Sequence, residues 1–150
     1  DEAEQKAAWH AIKLEEKKAK GEQQSYLDGV KASLSGLTVA NSLQAKAAKV
    51  GFDWGEPEPI LDKIEEELEE VKAELANNHQ EKLQKEIGDL LFAVVNLARH
   101  CEIDPETAIT ETNVKFKKRF QYIEKHLDKP MTEATLEEMD HLWEAAKKED

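Results

Sequence analysis

Four carboxylates, set out as two pairs, are the residues of this chain best placed to do chemistry. Glu67 and Glu70 stand three positions apart, as do Glu86 and Asp89, and that spacing puts both members of a pair on one face of a helix. The 15 residues from Val71 to Lys85 separate the pairs and include Asn77, Asn78 and His79, a break that lets two helices fold back antiparallel and bring the pairs together. Carboxylates about 5 Å apart repel by roughly 3 kcal/mol per pair at an effective dielectric near 20, so four around one point require a cation. Oxygen ligands without His or Cys select Mg²⁺, Mn²⁺ or Ca²⁺ over zinc, and Mg²⁺ commonly completes its shell with water and phosphate oxygens. Taken alone, the run Glu65 to Glu70 reads as a solvated helix face. Glu86 and Asp89 differ, because they interrupt a helix that is otherwise almost wholly apolar, and acids beside a core need a partner. The expected ligands are therefore Glu67, Glu70, Glu86 and Asp89.

A basic and aromatic complement lies further along the chain. Lys115, Lys117, Lys118 and Arg119 form a local cluster in which Lys115 and Arg119, four apart, share the flank of an apolar face with Tyr122. Such a pair suits a phosphate chain, with Arg capable of bidentate contact; surface pairing with Glu111 and its neighbours is the alternative. Trp143 and Lys147 form another (i, i+4) pair, Trp143 serving either to stack on a base or to cap the core. Asn113 is a further candidate for hydrogen bonding within the site. Lys82, one turn before Glu86, either reaches phosphate oxygen or neutralises Glu81.

The elements that must position these groups read as helices throughout. Residues 2 to about 20 carry Trp9 and Ile12 among Ala, Lys and Glu, giving a short helix with a weak apolar face that Gly21 stops. Residues 21–36 form a linker anchored by Leu27 and Val30. A second helix runs from about Leu37 to Val50 and ends at Gly51. The two prolines of the connector Phe52 to Pro59 break regular structure. A third helix from about Pro59 to Ala76 carries Ile60, Ile64, Leu68, Val71 and Leu75 at spacings of three and four. The fourth, about Glu81 to Cys101, is apolar around most of its circumference and needs cover on several sides, part of it from a second subunit. Asp104 followed by Pro105 starts a fifth helix, and Thr132 or Thr135 a sixth. The fold class expected is all-α, an antiparallel helical bundle completed by dimerisation.

Composition agrees and excludes other classes. The chain has 150 residues with 6 Gly and 4 Pro, a size at which one domain buries roughly 70% of its unfolded surface. A net charge of −12 argues against a broad nucleic-acid surface, which draws affinity from clustered Lys and Arg. One cysteine, Cys101, excludes an intrachain disulfide and a Cys-based zinc site; following an apolar helical run, it is expected to be buried. The apolar stretch Leu90 to Ala98, interrupted by Asn96, is too short to span a membrane and no secretory signal precedes it, so a cytoplasmic setting is expected. The chain begins at Asp1 and its first Met is Met131, which reads as a fragment or processed product. Trp9 and Lys13 repeat the spacing of Trp143 and Lys147, a hint that residues 1–20 are the tail of a preceding copy of the same domain.

The ordered segments VGFDW (Val50 to Trp54), EELEE (Glu66 to Glu70), EIGDLLFAVVNLARH (Glu86 to His100), NVKFKKRF (Asn113 to Phe120) and Trp143-x-x-x-Lys147 closely resemble the C-terminal half of bacterial MazG proteins. The resemblance covers residues 37–150, which makes that span the expected catalytic domain. It implies a Mg²⁺-dependent nucleoside triphosphate pyrophosphohydrolase of broad base tolerance that releases monophosphate and pyrophosphate and works as a tight homodimer. By position, Glu67, Glu70, Glu86 and Asp89 match the family's metal ligands, Lys115 and Arg119 its phosphate contacts, and Trp143 and Lys147 its nucleotide contacts. Lys31 and Ser35 stand where related linkers carry proline. Mn²⁺ is the expected substitute ion, and Glu67 or Glu66 the carboxylate that orients the attacking water. Two rivals stand beside this reading. A di-iron or di-manganese bundle requires two Glu-x-x-His motifs, of which only Glu138-x-x-His141 is present. A non-catalytic helical dimerisation module would give no heat with Mg²⁺ and a non-hydrolysable nucleotide.

Overall fold

Prolines at one end and asparagine at the other delimit the helical hairpin that carries the acidic pairs. The computed structural model describes residues 1–19, 25–53 and 55–150; Gly21, the first residues of the linker and Trp54 lie outside them. In order, the helices are α1 (Glu2–Ala19), α2 (Gly36–Lys49), α3 (Pro57–Asn77), α4 (Gln80–His100), α5 (Pro105–His126), a 3₁₀ turn at Met131–Glu133 and α6 (Leu136–Lys147). There is no strand among the described residues, and the chain is all-α. It divides into two compact units, Asp1–Glu106 and Thr107–Asp150.

In the first unit, α3 begins at Pro57, two residues before the position expected from the sequence. Both prolines then fall in the first turn, where a helix has no use for their missing N–H. α3 ends at Asn78, whose left-handed backbone (φ 58°) returns its N–H to the Leu75 carbonyl, a conformation that Asn tolerates better than most residues. Since only Asn78 and His79 separate α3 from α4, the two 21-residue helices fold back antiparallel and pack on each other more extensively than any other pair. Ile60, Ala93 and Val95 are buried there. α2 covers part of α4: the buried Gln44 donates its Nε2 to the Phe92 carbonyl at 3.0 Å. Ser35 caps α2 and donates its hydroxyl to the Glu106 carboxylate at 2.5 Å.

The open end of the hairpin is tied as well. Asp53, in the connector before α3, accepts hydrogen bonds from Arg99 Nη1 at 3.2 Å and Nη2 at 2.7 Å, and pairs with His100 Nε2 at 2.7 Å. Arg99 Nη2 also reaches the buried Asn96 side chain at 2.7 Å. The sequence treats this segment only as a connector. Cys101, expected to be buried, is exposed, because α4 stops at His100 and Cys101 lies past the last turn that faces the core. Two apolar stripes also stay in solvent: Leu61, Leu68 and Leu75 on α3, and Ile87, Leu91 and Val94 on α4.

In the second unit, Phe116 and Phe120 stack with centroids 6.2 Å apart, and Trp143 lies against Phe116 at 5.6 Å. Thr135 rather than Thr132 starts α6: it forms a reciprocal capping box with Glu138, while Thr132 falls within the 3₁₀ turn. Glu138 also pairs with Lys129 at 2.6 Å, so the glutamate of the lone Glu-x-x-His motif is engaged in a helix cap.

Candidate functional site

The hairpin brings three of the four expected ligands to one point. Ligand oxygens of Glu67, Glu70 and Glu86 all lie within 4.8 Å of one another. Glu67 is buried at 5% exposure because it sits two turns after Ile60 on the α3 face turned toward α4; Glu86 is half-buried and Glu70 exposed. Asp89 is exposed and stands outside the triple, yet its charge acts on Glu86, and it lines a cavity of about 460 Å³ together with Lys63, Glu66, Glu67 and Asn96. Glu67 Oε2 and Glu86 Oε2 are buried and have no hydrogen-bond partner among the described residues.

Such crowding shows in the protonation of the site. Glu86 is pushed up to about 7, first by a hydrogen bond shared with Glu70, then by burial, then by the negative charges of Glu70, Asp89 and Glu67. Repulsion between carboxylates favours the form that keeps a proton. Two orphaned buried oxygens, hard donors throughout and a carboxyl that keeps its proton among neighbouring negative charges together fit a divalent cation of the Mg²⁺ or Mn²⁺ type.

Lys63, which sequence reasoning passed over, is the cation already at this point. It sits 3.1 Å from Glu67 Oε1 and 3.7 Å from Glu66 Oε2, and its pKa is raised, chiefly by the hydrogen bond to Glu67. The available signal was its place one turn before Glu67 on the helix face of the acidic pair. Lys82 is exposed and makes no ion pair with Glu81 among the described residues.

The remaining candidates lie in the second unit. Arg119 donates from Nε to Asp150 Oδ2 at 2.7 Å, with Nη2 on the same oxygen, and its guanidinium carbon lies 5.4 Å from the centre of the Trp143 ring. The alternative partner considered for it, Glu111, is not the one it uses. Asn113 and Lys115 are exposed, and Lys147 pairs with Glu144 at 3.5 Å.

Residues 56–123 match the family described as the MazG nucleotide pyrophosphohydrolase domain. The chain is 42% identical over 149 residues to a protein of Escherichia coli (strain K12) named nucleoside triphosphate pyrophosphohydrolase, an alignment spanning 96% of this chain and 56% of that one. The chain carries a MazG nucleotide pyrophosphohydrolase domain. It is also 39% identical over 142 residues to the nucleoside triphosphate pyrophosphohydrolase/pyrophosphatase MazG of Thermotoga maritima, across 93% of this chain and 54% of the relative. A match to the uncharacterized protein YabN of Bacillus subtilis, 49% identical over 72 residues, spans 46% of this chain and 15% of that protein. The chain thus spans about half the length of the E. coli and T. maritima relatives. Both acidic pairs, Lys63, Lys115 and Arg119 fall inside the MazG segment, whereas Trp143 and Lys147 lie beyond it.

Proposed function

We propose that this chain hydrolyses nucleoside triphosphates, ribo- and deoxyribo- alike and with broad base tolerance, to the monophosphate and pyrophosphate. In this reading Glu67, Glu70, Glu86 and Asp89 hold Mg²⁺, with Mn²⁺ as substitute. The observation that carries it is the convergence of three carboxylates within 4.8 Å, two of them with an orphaned buried oxygen. The names of the E. coli and T. maritima relatives support the same reaction. When bound, the ion neutralises the carboxylates and draws charge from the phosphate oxygens.

The chain's own groups do the rest. Water attacks the α-phosphorus, the bond to the β-phosphate oxygen breaks, and pyrophosphate departs with that electron pair. Glu66, exposed at the rim of the cavity that Glu67 lines, accepts the water's proton; the buried Glu67 is better suited to the cation. Lys63 exchanges its carboxylate partners for phosphate oxygen, and Lys115 and Arg119 offset charge on the leaving pyrophosphate. Lys82 and Asn113 add polar contacts, while Trp143 and Lys147 hold the nucleoside end. The apolar stripes left exposed on α3 and α4 are covered in a homodimer, since contiguous apolar surface of that kind marks an interface.

Pyrophosphate release from a panel of NTPs and dNTPs tests the assignment. Glu86→Gln is expected to lose at least about a hundredfold in rate, the scale of removing one electrostatic contact to a transition state; a folded variant as fast as the parent ends the proposal. Glu66→Gln should lose kcat while keeping metal affinity. Sedimentation should give a dimer that Leu91→Glu separates.

A further inference from the structure

A second cavity, of about 340 Å³, opens between α1, the turn at residues 25–30 and α2, and shares no lining residue with the carboxylate cavity. Trp9, Lys13, Tyr26, Lys46 and Lys49 line it. The Trp9 and Lys13 pair singled out in the sequence thus finds a place outside the proposed reaction. In a chain of net charge −12, three ammonium groups at one cavity run against the general charge balance. Lys46 Nζ is held at the rim by the Asp28 carbonyl at 3.3 Å, and neither Lys46 nor Lys49 has a carboxylate partner among the described residues. Lys13 Nζ lies 5.5 Å from the Trp9 ring centre, yet Trp9 remains 55% and Tyr26 37% exposed.

We infer that this cavity binds a nucleoside phosphate, its base against Trp9 and Tyr26 and its phosphate among Lys13, Lys46 and Lys49. Exposed aromatic faces stack on any base, and a volume of a few hundred Å³ suits a small ligand. The ammonium groups of Lys46 and Lys49 hold phosphate as point charges, joined by Lys13, which exchanges the Glu16 carboxylate at 3.5 Å for the phosphate. Inorganic phosphate would use only the lysines and adenosine only the rings. The site stands apart from the carboxylates and does not depend on the reaction assigned to them.

The test is calorimetric titration of the 150-residue chain with AMP in EDTA, which removes divalent metal from the carboxylates. One AMP per chain is expected, with adenosine and inorganic phosphate each at least about tenfold weaker. Lys46→Glu/Lys49→Glu should lose at least about tenfold in AMP affinity and Trp9→Ala about fivefold or more, whereas Arg119→Ala should bind as the parent does. Should the double variant fail to fold by circular dichroism, Lys13→Glu on the exposed face of α1 takes its place. Absence of AMP binding overturns the inference, as does binding that survives the lysine changes or that Arg119→Ala abolishes.

Discussion

Lowering the pH from 7.5 to 6.0 should weaken Mn²⁺ or Mg²⁺ binding about eightfold, and Glu86→Gln should remove that dependence. Without a cation, Glu86 keeps its proton up to about pH 7, mainly through the hydrogen bond with Glu70. A metal that takes Glu86 as a ligand must displace that proton, so apparent affinity follows the ionised fraction of Glu86. With a midpoint near 7, that fraction drops from about three-quarters at pH 7.5 to about one-tenth at pH 6.0. The amide introduced by Glu86→Gln has no proton to lose, and the variant, short of one anionic ligand, should bind at least about tenfold more weakly at pH 7.5. Mn²⁺ titrations by calorimetry, in buffers of differing ionisation enthalpy, read both affinity and protons released. A parent with flat affinity across this range, or a variant that keeps the eightfold fall, refutes the reasoning.

The same raised pKa sets the sign for stability. Because the folded value exceeds the ordinary 4.5, the native chain binds more protons than the unfolded one between about pH 4.5 and 7, and metal-free stability falls as pH rises through that window. Thermal melts in EDTA at pH 5 and 7.5 should show the drop, and added Mg²⁺ should restore stability at the upper end. Asp53→Ala should cost about 2 kcal/mol in urea unfolding, since it strips the half-buried Arg99 of a charged partner. Thr135→Ala, which dismantles the capping box, should cost about 1 kcal/mol. Asp150→Asn frees the Arg119 fork and should lower KM for a nucleoside triphosphate about threefold at constant kcat, the scale of a partly exposed ion pair; a rise in KM would instead make Asp150 a positioning residue for Arg119.

Local chemistry made most of the helices legible. Asp104 and Thr135 cap where their residue types predict, and Asn78 takes the left-handed conformation that closes the hairpin. Spacing alone placed Glu67, Glu70 and Glu86 together, because two helices joined by two residues have little choice but to fold back. Lys63 was missed since an acidic run draws attention to its carboxylates, while a lysine one turn earlier reads as ordinary surface charge. Asp53 was missed for a different reason: its partners Arg99 and His100 are 46 and 47 positions away, and no local pattern encodes that meeting. Cys101 was misplaced by extending the apolar run of α4 past its last turn.

The Asp53 bridge has a consequence for how the carboxylates meet their ion. A hairpin joined only at Asn78 could splay at its far end like a pair of tongs, and each cation captured would have to close it. With Arg99 and His100 fastened to the residue that leads into α3, the tongs are latched before anything arrives. Glu67, Glu70 and Glu86 are then held at close quarters by the scaffold itself, and the affinity of the proposed ion is not spent on assembling them.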